Sequence, residues 1–202
     1  MSLAPELVQR GMSVELRDIT QAYPQAQTTL KRTILAYLPT ELMPRYPKDT
    51  LLHVIKPLYG IAEAGVHWWT TYHGHHCKEL DMSPSTYDPC LLITNSDHAG
   101  AFGIVGMQTD DTLMLGTPAF SSLEERKIQK AEFRSKPKSI LTPGTQLDFN
   151  GCTLTIDASK LILNLKQKGQ GGKIKPVDVK APDRAQQYTE QRARGAYIAS
   201  TC

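Results

Sequence analysis

Asp110 and Asp111 stand side by side inside an otherwise apolar stretch, AFGIVGMQTDDTLMLG, from Ala101 to Gly116. Two short strand-like runs around a polar tip read as a β-hairpin. Two acids at that tip concentrate negative charge at the end of a buried element, which costs desolvation unless a cation neutralises it. Hard oxygen donors of this kind suit Mg²⁺ or Mn²⁺. Aspartate is also a common turn former, so the pair alone is more often an exposed hairpin tip than a metal site. A third acid changes the weighting. Asp18 closes a short strand-like run, SVELRD, and an aromatic, Tyr23, follows five residues later in DITQAY. One acid on a strand facing two on a hairpin is what two-metal phosphoryl transfer requires, with ions roughly 4 Å apart at the attacking and leaving oxygens.

The elements that must position these residues follow from periodicity and punctuation. The pattern predicts a short helix over Pro5–Gly11, then the Asp18 strand, and a turn or short helix over Thr20–Pro24. It predicts a helix over Thr28–Ala36 and a strand at Leu51–Ile55. Ala62–Leu80 is the best long helix, with Val66, Trp69, Tyr72, His76 and Leu80 at three- and four-residue spacing. Strands are expected at Leu91–Thr94 and Ala101–Gln108, joined by a polar turn over Asn95–Gly100. A helix over Ser121–Phe133 follows, with Ser121 as N-cap and Glu124 and Glu125 in its first turn. Strands near Phe149–Ile156 and Leu161–Leu165 and a final helix over Tyr188–Ala199 complete the chain.

Four blocks then appear in a recognisable order: DITQAY (Asp18–Tyr23), PLYGIAEAGVHWW (Pro57–Trp69), STYDPCLLI (Ser85–Ile93) and MQTDDTLMLG (Met107–Gly116). Together they resemble the reverse transcriptase of copia-type LTR retrotransposons, in a form like those of fungal genomes. A fifth and weaker match is LDFNGCTLTI (Leu147–Ile156), similar to the strand that helps hold the primer end. The resemblance implies an α+β fold, a polymerase palm-like antiparallel sheet backed by helices, with a partial thumb-like C-terminal part and most of the fingers missing. It implies Asp18, Asp110 and Asp111 as catalytic and metal-binding acids for Mg²⁺ or Mn²⁺. Tyr23 would lie under the sugar of the incoming nucleotide and exclude a 2′-hydroxyl; its plain alternative is a core tyrosine. Gly60 would let backbone approach nucleotide and template; its plain alternative is a turn glycine. Gln108 and Thr109 stand where the family has Tyr-Val, and Ala62 and Gly65 where it has Lys and Pro. Only a short segment precedes the Asp18 strand, so the chain reads as a fragment. The resemblance divides it into a palm with remnant fingers at 1–157 and a basic thumb or connection-like segment at 158–202, leading towards an absent RNase H domain.

The net charge of +3 is too small to name a nucleic-acid partner, but its distribution says more. Six lysines stand between Lys160 and Lys180 against one acid, Asp178. Lys160, Lys166, Lys168, Lys173 and Lys175 are the candidates to track a phosphate backbone; a solvated, flexible segment is weighted equally. Cys77, Cys90, Cys152 and Cys202 lack paired spacing, which fits a reducing compartment. The chain has no bilayer-length apolar run and no signal-peptide pattern, so the expectation is an intracellular protein, cytoplasmic or nuclear, not secreted and without a membrane partner. Expected partners are an RNA or DNA template with primer, dNTP, and other parts of a retrotransposon polyprotein. YHGHHCKEL places His73, His76 and Cys77 on one helical face, but nothing nearby completes a zinc site, and packing histidines are preferred. Three functions remain open: an RNA-directed DNA polymerase fragment, an inactive relic that keeps the fold and weak nucleic-acid binding, and another metal-dependent phosphoesterase.

Overall fold

The computed structural model describes residues 4–95, 100–159, 162–169 and 171–201. Lys160, Cys202 and most of the expected turn after Asn95 lie outside the described residues. In chain order the elements are α1 (Ala4–Gln9), β1 (Ser13–Asp18), β2 (Ile34–Tyr37), β3 (Leu51–Val54), α2 (Ala64–Glu79), β4 (Met82–Pro84) and β5 (Leu91–Thr94). There follow β6 (Gly103–Gln108), β7 (Asp111–Gly116), α3 (Pro118–Lys130), β8 (Ser139–Ile140), β9 (Gln146–Phe149), β10 (Cys152–Ile156), β11 (Leu163–Gln167) and α4 (Arg184–Thr201).

Six strands form an antiparallel sheet in the order β4-β5-β6-β7-β1-β8. Its two faces are filled differently. On one face α2 and α3 bury Trp68, Tyr72, Phe120 and Ile128 against Val105, Met107 and Met114. On the other, Val14, Leu113 and Leu141 meet Leu147, Leu154 and Ile156 of a second sheet, ordered β11-β10-β9. Alternation along β1 and β7 makes this possible: Val14 and Leu16 point one way, Glu15 and Arg17 the other. The architecture is mixed α+β, with antiparallel sheets and four helices among the described residues.

The helical face hides charge as well as carbon. Arg17 is 1% exposed; its guanidinium donates to Glu124 at 2.7 and 2.6 Å and to Glu125 at 2.6 Å. Lys138 completes the cluster from Glu15, 3.0 Å away, to Glu124, 3.4 Å away. Burial alone would pull the Arg17 proton off more easily; the two glutamates reverse that and raise its pKa. Removing one partner of such a pair costs about 3–5 kcal/mol, because the other charge is left buried alone.

Several expectations are corrected. Thr28–Ala36 is not a helix: Ile34–Tyr37 extends and pairs with Leu51–Val54 as a separate two-stranded sheet. Thr28, Thr29 and Thr33 are β-branched and disfavour a helix, and Ile34-Leu35-Ala36-Tyr37 suits a strand. The long helix turns its Trp68 face inward, not the Trp69 face: Ala64, Trp68, Thr71, Tyr72 and His76 are buried, whereas Val66 is 66% exposed. The α3 helix is capped by Thr117, whose hydroxyl accepts from the Phe120 amide, with Pro118 next. Glu124 and Glu125 therefore sit mid-helix as partners of Arg17 and not in a first turn. The stretch read near Phe149–Ile156 is a hairpin, β9 and β10, folded at Asn150-Gly151 with φ of 47° and 72°. Both values are positive, as a type I′ turn requires. The β10–β11 ladder then pairs residues on both sides of position 157. No helix among the described residues is long and apolar enough to cross a membrane.

Candidate functional site

The antiparallel registers bring two of the predicted acids together. Asp18, the last residue of β1, is the direct partner of Asp111, the first residue of β7. Asp111 is in turn paired with Gln108 at the end of β6. Cross-strand partners share a face, so Gln108, Asp111 and Asp18 form one row at the end of the sheet. That row lies on the side away from α2 and α3, in line with Gly106, Leu113 and Leu16 in the next row. Phe149 of the second sheet reaches over Gly106. Asp110 stands outside the ladder, in the two-residue loop with Thr109.

That loop is held under tension. Thr109 has φ of 51°, in the left-handed region where glycine or asparagine usually stands. A β-branched residue there costs on the order of 1–3 kcal/mol. The surroundings impose the conformation. Trp68, buried on α2, donates its indole N–H to the Thr109 carbonyl at 2.8 Å, and the Ile19 amide donates to the Asp110 carbonyl at 3.0 Å. Tyr72, one turn further along α2, accepts a hydrogen bond from the Thr112 hydroxyl at 3.2 Å. The helix thus fixes both the turn and the strand that leaves it.

Each acid has its own neighbour. Lys136 donates from Nζ to Asp18 Oδ2 at 2.5 Å, and its backbone amide donates to the Asp18 carbonyl at 2.9 Å. Tyr59 donates its hydroxyl to Asp110 Oδ2 at 3.2 Å, and the Tyr59 ring leans on Tyr23, centroids 4.5 Å apart. Asp111 accepts no such donor among the described residues and is half-buried. Burial, followed by repulsion from Asp18 and Asp110, raises its pKa above the usual carboxylate value, with Lys136 acting in the opposite sense. The Tyr59 hydroxyl is likewise shifted up, by burial and then by the Asp110 charge.

Gly60 occupies the third position of a turn closed by the Ile61 amide on the Leu58 carbonyl, with φ of 93°. A side chain there would meet open space, so it is the backbone angle that calls for glycine. The turn also aims the preceding Tyr59 at Asp110. No protein-family model, characterised protein or solved structure matches this chain.

Among the described residues no group of three or more His, Cys, Asp or Glu side chains is placed to hold a metal ion. The chemistry of the donor set nonetheless fits a hard divalent cation. Asp18 and Asp111 are cross-strand partners with Asp110 in the adjoining loop, and Asp111 is pushed towards its protonated form by burial and then by the charges of the other two. Lys136 supplies the only cation that touches them among the described residues. The histidine cluster is dispersed by its helix: His76 is fully buried with Nδ1 on the Tyr72 carbonyl, 3.0 Å away, while His73 stacks on Trp69.

The basic candidates fall elsewhere. Lys166 lies on β11, and Lys173 and Lys175 in the segment that α4 holds through Gln191 and Arg194. All three are exposed, whereas Lys168 is engaged by Asp148 at 2.7 Å. Tyr59 and Lys136 escaped the sequence reading. A signal for Lys136 was available: Arg134, Lys136 and Lys138 alternate directly after α3, at the position where the chain returns to β1.

Proposed function

We propose that the chain is the palm part of an RNA-directed DNA polymerase, a reverse transcriptase of copia-type retrotransposon lineage. The observation that carries the reading is the Asp18–Asp111 cross-strand pair with Asp110 at the adjoining turn, at the end of an antiparallel sheet and on its face opposite two helices. The order of the motif blocks agrees with it.

In this reading the primer 3′-hydroxyl attacks the α-phosphorus of a dNTP. The new P–O bond forms as the bond to pyrophosphate breaks, and the hydroxyl proton passes to solvent water. Asp18, Asp110 and Asp111 would hold Mg²⁺ or Mn²⁺, which when bound lowers the pKa of the hydroxyl and neutralises charge on the phosphates. The chain's own contribution is placement. The ladder fixes Asp18 against Asp111, and the Trp68 bond fixes the turn that carries Asp110. Tyr23, braced by Tyr59, is the candidate to lie under the sugar and disfavour a 2′-hydroxyl. Lys136 can move from Asp18 to a phosphate oxygen once another cation takes the carboxylates.

Primer extension on poly(rA)–oligo(dT) with Mg²⁺ or Mn²⁺ tests this. Incorporation of dTTP should fall by at least about a hundredfold in Asp110→Ala and in Asp111→Ala, the scale of losing a charge-stabilising group. Incorporation unchanged in Asp110→Ala would sink the assignment. No incorporation by the folded protein, together with salt-sensitive binding of the same duplex, would leave the fold and the binding but not the catalysis.

A further inference from the structure

The buried face of α2 carries three ringed side chains at four-residue spacing, Trp68, Tyr72 and His76. The first two hold the end of the main sheet: Trp68 through the Thr109 carbonyl, Tyr72 through the Thr112 hydroxyl. His76 is enclosed completely, with 0% of its surface exposed. Its Nδ1 lies 3.0 Å from the Tyr72 carbonyl, and its Nε2 has no hydrogen-bond partner among the described residues. A carbonyl oxygen only accepts, so Nδ1 carries the proton of the neutral ring and Nε2 is a bare lone pair. The Tyr72 ring stands beside it, centroids 4.6 Å apart.

Protonation puts a charge on the one ring atom that has nothing to receive it. Nor do the surroundings compensate. Arg17 of β1 and the neighbours His73 and His75 on α2 all act on His76 as positive charges. Glu124, the buried acid of α3, already accepts from Arg17 on both oxygens. Glu79 and Lys127 pair with each other at 2.8 Å and act on His75. The adjoining β4 strand brings no titratable group. Burial pushes the His76 imidazole down to about 3; His75, His73 and Arg17 act in the same sense, and the Tyr72 carbonyl opposes them.

We infer that His76 is an acid-sensitive latch: while its ring is neutral α2 stays seated on the sheet, and protonation unseats the helix and frees the turn that carries Asp110. In the unfolded chain a histidine titrates near 6.5, so above that value both states are neutral and the latch has no effect. As pH falls from 6.5 towards 3, the opened chain takes up a proton that the closed one refuses. The unfolding constant then rises by a factor of about ten for each pH unit. None of the three carboxylates takes part, so the latch stands or falls apart from the polymerase reading.

The test is urea denaturation of the whole protein at pH 7.5 and pH 5.0, beside His76→Leu and His76→Gln. His76 alone should raise the unfolding constant about thirtyfold between the two pH values. The unmodified protein should therefore lose about thirtyfold more than either variant. Each variant is compared with itself at the two pH values, so one that starts less stable still reports. His75→Gln, next to the latch and only half-buried, should keep most of the loss. The hold on the turn is read at the Trp68 indole N–H by hydrogen exchange in a Trp69→Phe background. Its protection factor should fall by a similar factor at pH 5.0. Equal pH dependence in the unmodified protein and both His76 variants would overturn the latch, and so would Trp68 protection that does not change with pH.

Discussion

A carboxylate half-buried between two others holds its proton more tightly than one in water, and Asp111 is so placed. Its folded-state pKa is raised above the unfolded value near 3.8. The stabilisation it offers is complete below that value and is lost as pH climbs through the raised one. Asp111→Asn should thus raise the thermal midpoint at pH 7 by on the order of a few °C, with the gain vanishing near pH 3. Melting curves at the two pH values check this; an equal shift at both would mean that charge is not the cause. The acids themselves were legible in the sequence because their type clashes with the apolar residues around them. Their partners were not. Lys136 meets Asp18 across 118 positions and Tyr59 meets Asp110 across 51; the Arg134-Lys136-Lys138 alternation marks a basic segment but does not say which acid it meets.

Where β6 and β7 run towards α3, two glycines face each other: Gly103 is the cross-strand partner of Gly116. The Phe120 ring lies against both, since a Cβ on Gly103 would come within 2.5 Å of it and one on Gly116 within 2.7 Å. Gly103→Ala should cost about 1–3 kcal/mol in urea denaturation, the usual penalty of overpacking. Adding Phe120→Leu should recover part of that loss, because the clash is with this ring; a fully additive double variant would place the cost elsewhere. Elements with a single strong periodicity, such as β5 and β7, could be read from sequence. The inward face of α2 could not, because Trp68 and Trp69 are adjacent and equally apolar. What selects Trp68 is the Thr109 carbonyl waiting beneath it, a tertiary contact. The β2 strand was missed for a related reason: its partner β3 lies beyond a loop, and only pairing makes its extension favourable.

On the scale of the molecule, charge is divided between two places: acids at one end of the main sheet, and exposed lysines on and beyond β11. If that second surface meets a phosphate backbone, replacing Lys166, Lys173 and Lys175 with Gln should flatten the slope of log binding constant against log salt. The expected change is about 0.9 per lysine that neutralises a phosphate, read by anisotropy on labelled primer–template. Lys168, engaged by Asp148, should contribute less. A slope unchanged in the triple variant would remove this surface from the binding reading. The main sheet has one more property, set by chain order. β1 is synthesised well before its neighbours, β7 about half this chain's length later and β8 later still. Until those segments leave the ribosome, β1 has two open edges, and Arg17 has neither glutamate. The strand made early is placed late, so its pairing must close a long loop before any contact rewards it. Both edges of β1 are therefore covered only once residues up to Ile140 have emerged, and the acid row cannot form before β7 does.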